Sequence, residues 1–545
     1  MRVLLISTAH PLEENPLPPL SLAYLAGALE REGIEVEILD FLVSRYHPRK
    51  IRQKLEEYRP RLVGVTCVTM NYPLAARMLR VCKEFDPGIV TVIGGPHASF
   101  TTKETLLRAS WIDAVAIGEG DRTVIDLARA VAGDGDFRTV AGIAFADGGR
   151  IVKTEPRPLI DDLDQLAEPA RHLLPLAKYR ALGVPCTVIT SRGCPYGCLF
   201  CSAHKMFGRR VRFRDPGLVV DEIERLQRDF GFSLINIVDD TFTVNHNHTI
   251  QVCEEMLRRN LKIIWSAYAR VDNMTEDLVA LMKRAGCNAV LFGIESADEK
   301  ILSTIRKGIT PDIMRKGVRI ASDAGLTIFT SFILGLPGES PETARRTLAF
   351  ADELDRNYGA RYGFHILAPL PGTELYDNAA DYGLRILTRN WARYDANQPI
   401  TETPTMSQEM AREVMKIYDF ITETALQEVK RRAEAGDAQY IRWLEDKKSR
   451  EFVWKLLEGD IIDGLGRIRA VAAINPAEAK IDLARRISRR LSLPPEEVQP
   501  QISPLVRQGL LKLAPCADGL RWRWSDSQSA IPQTKLSVEQ VAPSK

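Results

Sequence analysis

At 545 residues the chain exceeds what one hydrophobic core supports, and roughly two to four domains are expected. Lys and Arg number 73 against 71 Asp and Glu, a net charge of +2, which argues against general attraction to nucleic acid or an acidic surface. No apolar run is long enough to cross a bilayer and the opening Met-Arg-Val-Leu-Leu-Ile-Ser-Thr reads as a strand rather than a signal peptide, so a cytoplasmic protein without a membrane span is expected.

Residues 1–150 alternate short β-rich runs with amphipathic helical stretches. Strands are predicted at Val3–Ser7, Val36–Asp40, Leu62–Val68, Ile89–Gly94 and Ala114–Gly118, and helices at Ser21–Glu32, Lys50–Tyr58 and Leu74–Phe85. The pattern predicts a doubly wound parallel sheet covered on both faces, which binds ligands at the carboxyl ends of its strands. Those ends hold Ser7-Thr8-Ala9-His10, Thr66-Cys67-Val68-Thr69, Gly94-Gly95-Pro96-His97 and Gly118-Glu119-Gly120. Glycine lets backbone approach a ligand and small hydroxyls bond a polar tail. Each segment taken singly is equally an ordinary turn.

A hairpin is predicted at Gly142–Ala146 and Arg150–Thr154, and residues 151–185 read as a linker of little periodicity. Six βα-type units follow across residues 186–395. Their strands are Thr187–Ser191, Leu234–Val238, Ile263–Ala269, Ala289–Ile294, Thr327–Leu334 and Tyr362–Leu367, which predicts a partial barrel with its chemistry on the loops after the strands.

The first of those loops carries Cys194, Cys198 and Cys201 in a CxxxCxxC spacing. Three thiolates on one loop bind three irons of a 4Fe–4S cube and leave the fourth iron open to a substrate or cofactor. Zinc would need a fourth ligand, for which His204 is the nearby candidate. A disulfide fits poorly with nine cysteines and no secretory signal. Cys67, Cys82, Cys186, Cys253, Cys287 and Cys516 are scattered and read as unpaired core thiols.

Residues 396–460 read as a helical region, in which Met406, Met410, Val414, Ile417, Ile421 and Leu426 predict a core-facing stripe. Within 461–525, two helices near Ile481–Leu491 and Glu497–Gly509 and a hairpin suggest a winged-helix-like accessory domain that binds protein or peptide, although Pro500 and Pro504 weaken its second helix. Arg485, Arg486, Arg489 and Arg490 make the first helix basic, and a solvated face explains them in a near-neutral chain. Residues 526–545 are polar and expected to be disordered.

From the cysteine loop through the sixth strand, the chain resembles the radical S-adenosylmethionine (SAM) superfamily. The resemblance implies that Cys194, Cys198 and Cys201 hold the cluster and that SAM binds its open iron. It places Phe200 against the adenine, Asp239 and Asp240 at the SAM ammonium where the family commonly has Gly-Gly-Glu, and Arg270 at the SAM carboxylate. Glu295 and Ser296 match the ribose element, and Gly335-Leu-Pro-Gly-Glu339 the backbone element beside the adenine. Pro369-Leu-Pro-Gly-Thr373 is a pattern of the cobalamin-type subgroup.

The first domain resembles the cobalamin-binding domain of corrinoid enzymes through Thr66-x-Val68 and Gly94-Gly95, and the candidate contacts are Thr8, Ala9, Thr66, Val68, Gly94, Gly95, His97 and Glu119. The family's Asp-x-His-x-x-Gly loop is missing, and Asn15-Pro-Leu-Pro-Pro-Leu stands in its region, so cobalamin would be held without a histidine below cobalt. The implied activity is generation of a 5′-deoxyadenosyl radical, first for methyl transfer to an unactivated carbon. The expected partners are a small-molecule or peptide substrate and an electron donor such as flavodoxin or ferredoxin. Ser110-Trp-Ile-Asp-Ala-Val-Ala-Ile-Gly-Glu-Gly and Phe213-Arg-Asp-Pro-Gly-Leu-Val-Val-Asp-Glu-Ile-Glu look like the anaerobic magnesium-protoporphyrin monomethyl ester cyclase, making oxidative cyclisation or another radical rearrangement the alternative. An iron–sulfur DNA-binding regulator is the alternative of another class.

Overall fold

The computed structural model describes residues 1–9, 16–133, 135–466, 476–516 and 519–525. His10, Asn15 and residues 526–545 lie outside them. The first sheet contains β1 (Arg2–Ser7), β2 (Glu35–Asp40), β3 (Leu62–Thr66), β4 (Val90–Gly94), β5 (Ala114–Ala116), β6 (Ile143–Asp147) and β7 (Arg150–Lys153). Their order is β2-β1-β3-β4-β5-β6-β7, with the first five parallel and the last two antiparallel. Val3, Leu4, Leu5 and Ile6 are all buried, as a strand covered on both faces requires. The chain reverses its direction of travel across the sheet between β1 and β3, the place where a doubly wound sheet opens a crevice. Ile143 and Ala144 are fully buried, so the hairpin completes this sheet and carries it to Lys153, past the boundary expected at 150. The stretch read as a linker contains a packed helix, Leu176–Leu182, whose Tyr179 hydroxyl donates to Asp40 Oδ2 at 2.6 Å beneath β2.

The second sheet starts at β8 (Cys186–Val188). A short antiparallel ladder of β9 (Ser191–Arg192) and β10 (Arg212–Phe213) then brackets the cysteine loop. β11 (Leu234–Ile237), β12 (Ile264–Ala269), β13 (Cys287–Glu295), β14 (Thr327–Leu334) and β15 (Ala360–Ile366) complete a six-stranded parallel sheet in the order β15-β14-β13-β12-β11-β8. All six expected βα units are present with ends shifted by a few residues. Asp215, Asn245, Thr275, Thr310 and Ser340 each accept a backbone N–H in the first turn of the following helix. Each such cap stabilises by about 1 kcal/mol and fixes where a site-bearing loop ends.

Beyond β15, the paired β16 (Arg385–Ile386) and β17 (Thr401–Glu402) flank a segment whose Trp391, Tyr394 and Ile400 insert into the core of the first domain. The helix Gln408–Glu434 buries only Ala411 and Val414. Of the stripe expected to be core, Met406 and Val414 are buried, whereas Met410 and Ile417 are 46% and 40% exposed. This helix packs on the helices Pro341–Tyr358 and Ala438–Glu458 with only a narrow part of its face in the core, and its Tyr418 ring lies 5.2 Å from Phe364 of the edge strand β15. Helices Pro476–Leu491 and Pro495–Arg507 precede the hairpin β18 (Leu511–Cys516) and β19 (Gly519–Trp524), with Pro500 and Pro504 inside the second helix. Among the described residues no helix is long and apolar enough to cross a membrane.

Candidate active site between the two sheets

The three cysteines sit on the loop between β9 and β10. Gly193 has φ +109°, and a Cβ there would come within 2.7 Å of the Arg210 carbonyl oxygen, so glycine lets the loop cross its own return strand. Cys194 N–H donates to Gly208 O at 3.2 Å. Farther round, Leu199 N–H donates to Ile305 O and Leu375 N–H to Leu199 O, both at 3.1 Å. Cys198 is buried while Cys194 and Cys201 are half-buried. Burial raises the Cys194 thiol and pushes Cys201 up to about 11, so metal binding must release those protons. Among the described residues no three His, Cys, Asp or Glu side chains converge on a single ion, as zinc with His204 would require. A cube takes one thiolate per iron and imposes no such convergence.

The strand-end residues divide into free and committed groups. Asp239 accepts from Thr190 N–H at 2.6 Å and from the hydroxyls of Thr190 and Ser191 at 2.5 and 2.7 Å, so its carboxylate ties β11 to the root of the cysteine loop and is not available to a ligand. Asp240 faces solvent on a concave wall, where desolvation, then the charge of Asp239, pushes its carboxyl up to about 6. The Arg270 fork expected to take a SAM carboxylate is already bonded to Asp272 at 3.0 and 2.9 Å, and the guanidinium stacks 3.8 Å over the Tyr196 ring. Glu295 has φ +68° and pairs with Lys307 at 2.8 Å. That left-handed turn buries Ser296 completely beside Thr347 of the helix Pro341–Tyr358, away from the site. Gly335, at φ +89°, donates its N–H to the Glu339 carboxylate. Phe200 is half-buried, its ring centroid 5.9 Å from the Lys307 ammonium.

A cavity of about 470 Å³ lies between the two sheets. One wall is Ser7, Thr8, Thr66, Cys67, Val68, Gly94, Gly95 and Gly118 from the ends of β1, β3, β4 and β5; the other is Ile189, Ser191, Arg192, Met206, Phe207, Val238 and Asp240. It reaches down β3 from Thr66 to Leu62, about 13 Å at the rise of a parallel strand. Gly95 has φ +95°, and a Cβ there would lie 2.4 Å from the Cys67 carbonyl oxygen. Glu119 lines the cavity, but its carboxylate takes Arg212 at 2.9 and 3.1 Å, Ile160 N–H at 2.8 Å and Arg192 at 3.4 Å. It therefore bolts the two domains together instead of meeting a ligand directly. Ala9 and His97 do not line the cavity. The buried His97 ring is 4.5 Å from Tyr72 and 5.0 Å from Trp391, and desolvation lowers it to about 4.

Residues 188–351 match the radical SAM superfamily model, and residues 14–128 match the B12 binding domain. An uncharacterised methyltransferase of Pyrococcus horikoshii is 36% identical over 400 residues, 73% of this chain and 86% of that protein. The chain is a cobalamin-binding member of the radical SAM superfamily. The enzyme is also 33% identical over 414 residues to the anaerobic magnesium-protoporphyrin IX monomethyl ester cyclase of Rubrivivax gelatinosus, covering 74% of this chain and 73% of that one. The structure of the cobalamin-dependent S-adenosylmethionine radical enzyme OxsB, with aqua-cobalamin and S-adenosylmethionine bound, shares the fold at a TM-score of 0.65 and 18% identity, over 93% of this chain and 80% of that one.

Membership brings a 4Fe–4S cluster, SAM and cobalamin. The residues present suit them: three thiols share one loop, and the cavity is a deep, mostly apolar slot entered past hydroxyls and glycine backbone. A Cβ on Gly118 would meet nothing within 4 Å, so backbone there faces open space. Sequence reasoning missed Lys307, whose partner is twelve residues away with no fixed spacing to announce it. It also missed Arg192 and Arg212, which gain meaning only once the domains meet.

Proposed function

We propose that the enzyme is a methyltransferase acting on an unactivated carbon of a small molecule or peptide, and that its two cofactor sites share the interdomain cavity. The observation carrying this reading is that one slot is lined by the ends of β1, β3, β4 and β5 of the first sheet and by Ile189, Val238 and Asp240 after β8 and β11 of the second, beside Ser191 and Arg192 at the root of the cysteine loop. Cys194, Cys198 and Cys201 are assigned to the cluster, Phe200, Asp240, Glu295 and Gly335 to SAM, and Thr8, Thr66, Val68, Gly94 and Gly95 to the corrinoid. Bound there, the reduced cluster and SAM supply a 5′-deoxyadenosyl radical and cobalamin a methyl carrier. Asp240 accepts only the Gly193 N–H and is exposed on the cavity wall, so it is the carboxylate of its pair with room to receive an ammonium group. Asp239 fixes the loop root, and the Glu119–Arg212 pair ties the two domains together beside the cavity. A reductant is required, and flavodoxin or ferredoxin would serve.

Similarity to the Pyrococcus methyltransferase supports methyl transfer, and similarity to the Rubrivivax cyclase supports oxidative cyclisation as a second reading. Product analysis of the reconstituted, reduced enzyme separates them. Methyl transfer yields S-adenosylhomocysteine together with 5′-deoxyadenosine, because one SAM supplies the methyl group and another the radical; cyclisation yields the second without the first. Cys198→Ala should lose both the cluster and 5′-deoxyadenosine. Absence of both products from the intact enzyme would defeat radical chemistry of either kind.

A further inference from the structure

The segment Ile305-Arg306-Lys307, between the helices Glu299–Thr304 and Pro311–Asp323, lies against both the cysteine loop and the strand ends. Ile305 O accepts Leu199 N–H at 3.1 Å, and Lys307 O accepts from Arg270 at 2.9 Å. The Lys307 ammonium donates to Glu295 Oε1 at 2.8 Å, with both side chains under one-tenth exposed. This pair lies directly over Gly293 of β13: a Cβ there would come within 2.4 Å of Glu295 Oε1 and 3.0 Å of Lys307 Nζ. Gly293 is thus the floor on which the pair rests.

A buried carboxylate needs hydrogen-bond partners for its oxygens, and Lys307 supplies one to Oε1. We propose that Lys307 is a positioning residue for SAM: by bonding one carboxylate oxygen of Glu295 it fixes the orientation of that side chain, so that the second oxygen accepts from the sugar hydroxyls. Through its carbonyl, the same residue holds Arg270 over Tyr196 beside the cysteines. The inference rests on the assignment of Glu295 to SAM made above. The bulge in register between Gly293 and Glu295 and the left-handed φ of Glu295 turn its carboxylate back over Gly293 toward Lys307.

The test uses the full chain with its cluster reconstituted, and reads SAM affinity by equilibrium dialysis and by the change SAM produces in the electron paramagnetic resonance spectrum of the reduced cluster. Lys307→Met should weaken SAM binding about tenfold or more with iron and sulfide content unchanged, the usual cost of losing a residue that orients a ligand-binding group. Gly293→Ala, which keeps both charges and displaces the pair, should weaken it in the same direction and keeps the test open if the first variant does not fold. The double variant Lys307→Met, Glu295→Gln should bind SAM no worse than Glu295→Gln alone, because Lys307 acts through Glu295. Unchanged affinity in Lys307→Met, additive losses in the double variant, or loss of the cluster together with SAM binding would each overturn the proposal. If Glu295→Gln itself binds SAM normally, the assignment of Glu295 fails, and the inference with it. If only Glu295→Gln weakens binding, the assignment stands and the inference alone fails.

Discussion

Glu339 offers the most direct test of the electrostatics around the β14 loop. It is fully buried, accepts the backbone N–H groups of Gly335 and Leu336, and leaves Oε1 without a partner. Desolvation outweighs those bonds and pushes the carboxyl up from 4.5 to about 8. At neutral pH the folded protein therefore holds a proton that the unfolded chain releases. Because the folded value lies above the unfolded one, this stability is fully present below pH 4.5 and is lost as pH rises through about 8. At 1.36 kcal/mol per pH unit, the loss is about 3 kcal/mol by pH 7 and about 5 kcal/mol once the group is ionised. Glu339→Gln keeps the shape and an acceptor oxygen but carries no titrating proton. It should nearly match the wild type at pH 5 and exceed it by about 3 kcal/mol at pH 7. Urea midpoints of the cofactor-free protein across pH 5–9, followed by tryptophan fluorescence, measure this. A stability difference that does not grow over that range would refute the reasoning.

Asp240, with its carboxyl pushed up to about 6, should make SAM binding tighten as pH rises through that value, because only the carboxylate attracts an ammonium group. Asp240→Asn should flatten the profile, and a flat wild-type profile would remove Asp240 from the site. Glu119→Ala should strand the buried guanidinium of Arg212, destabilise the domain joint by about 3 kcal/mol and reduce the corrinoid retained after desalting. Corrinoid retention equal to that of the wild type would show that the bolt does not hold the cavity closed.

Both sheets are legible in the sequence because their signal is local. Val3–Ile6 is a continuous apolar run, and Thr327–Leu334 keeps its Ile, Phe and Leu between β-favouring hydroxyl residues. The cysteine spacing is equally local. Most side-chain commitments are not, because they are decided by a residue distant in the chain or by one left-handed turn. Nothing near Asp239 announces that Thr190 will consume its oxygens, and nothing near Glu119 points to Arg212. Arg270 stands at the expected strand end, yet Asp272, two residues on, takes the fork intended for a ligand. The stripe on Gln408–Glu434 misleads for a related reason: periodicity reports an amphipathic helix without saying how much of its length a core covers.

The joint between the domains is held by two unlike sets of contacts, and they differ in what breaking them costs. On one side, Glu119, Asp121, Arg192 and Arg212 form buried ion pairs beside the cavity. On the other, Trp391, Tyr394 and Ile400 are built into the apolar core of the first domain. Pulling Trp391 out exposes a large apolar surface, which costs several kcal/mol, about what burial of such a side chain supplies. The ion pairs trade one set of polar partners for water, so their net contribution is small once both partners are hydrated again. Separating the ion pairs therefore costs less than withdrawing Trp391 from the core of the first domain.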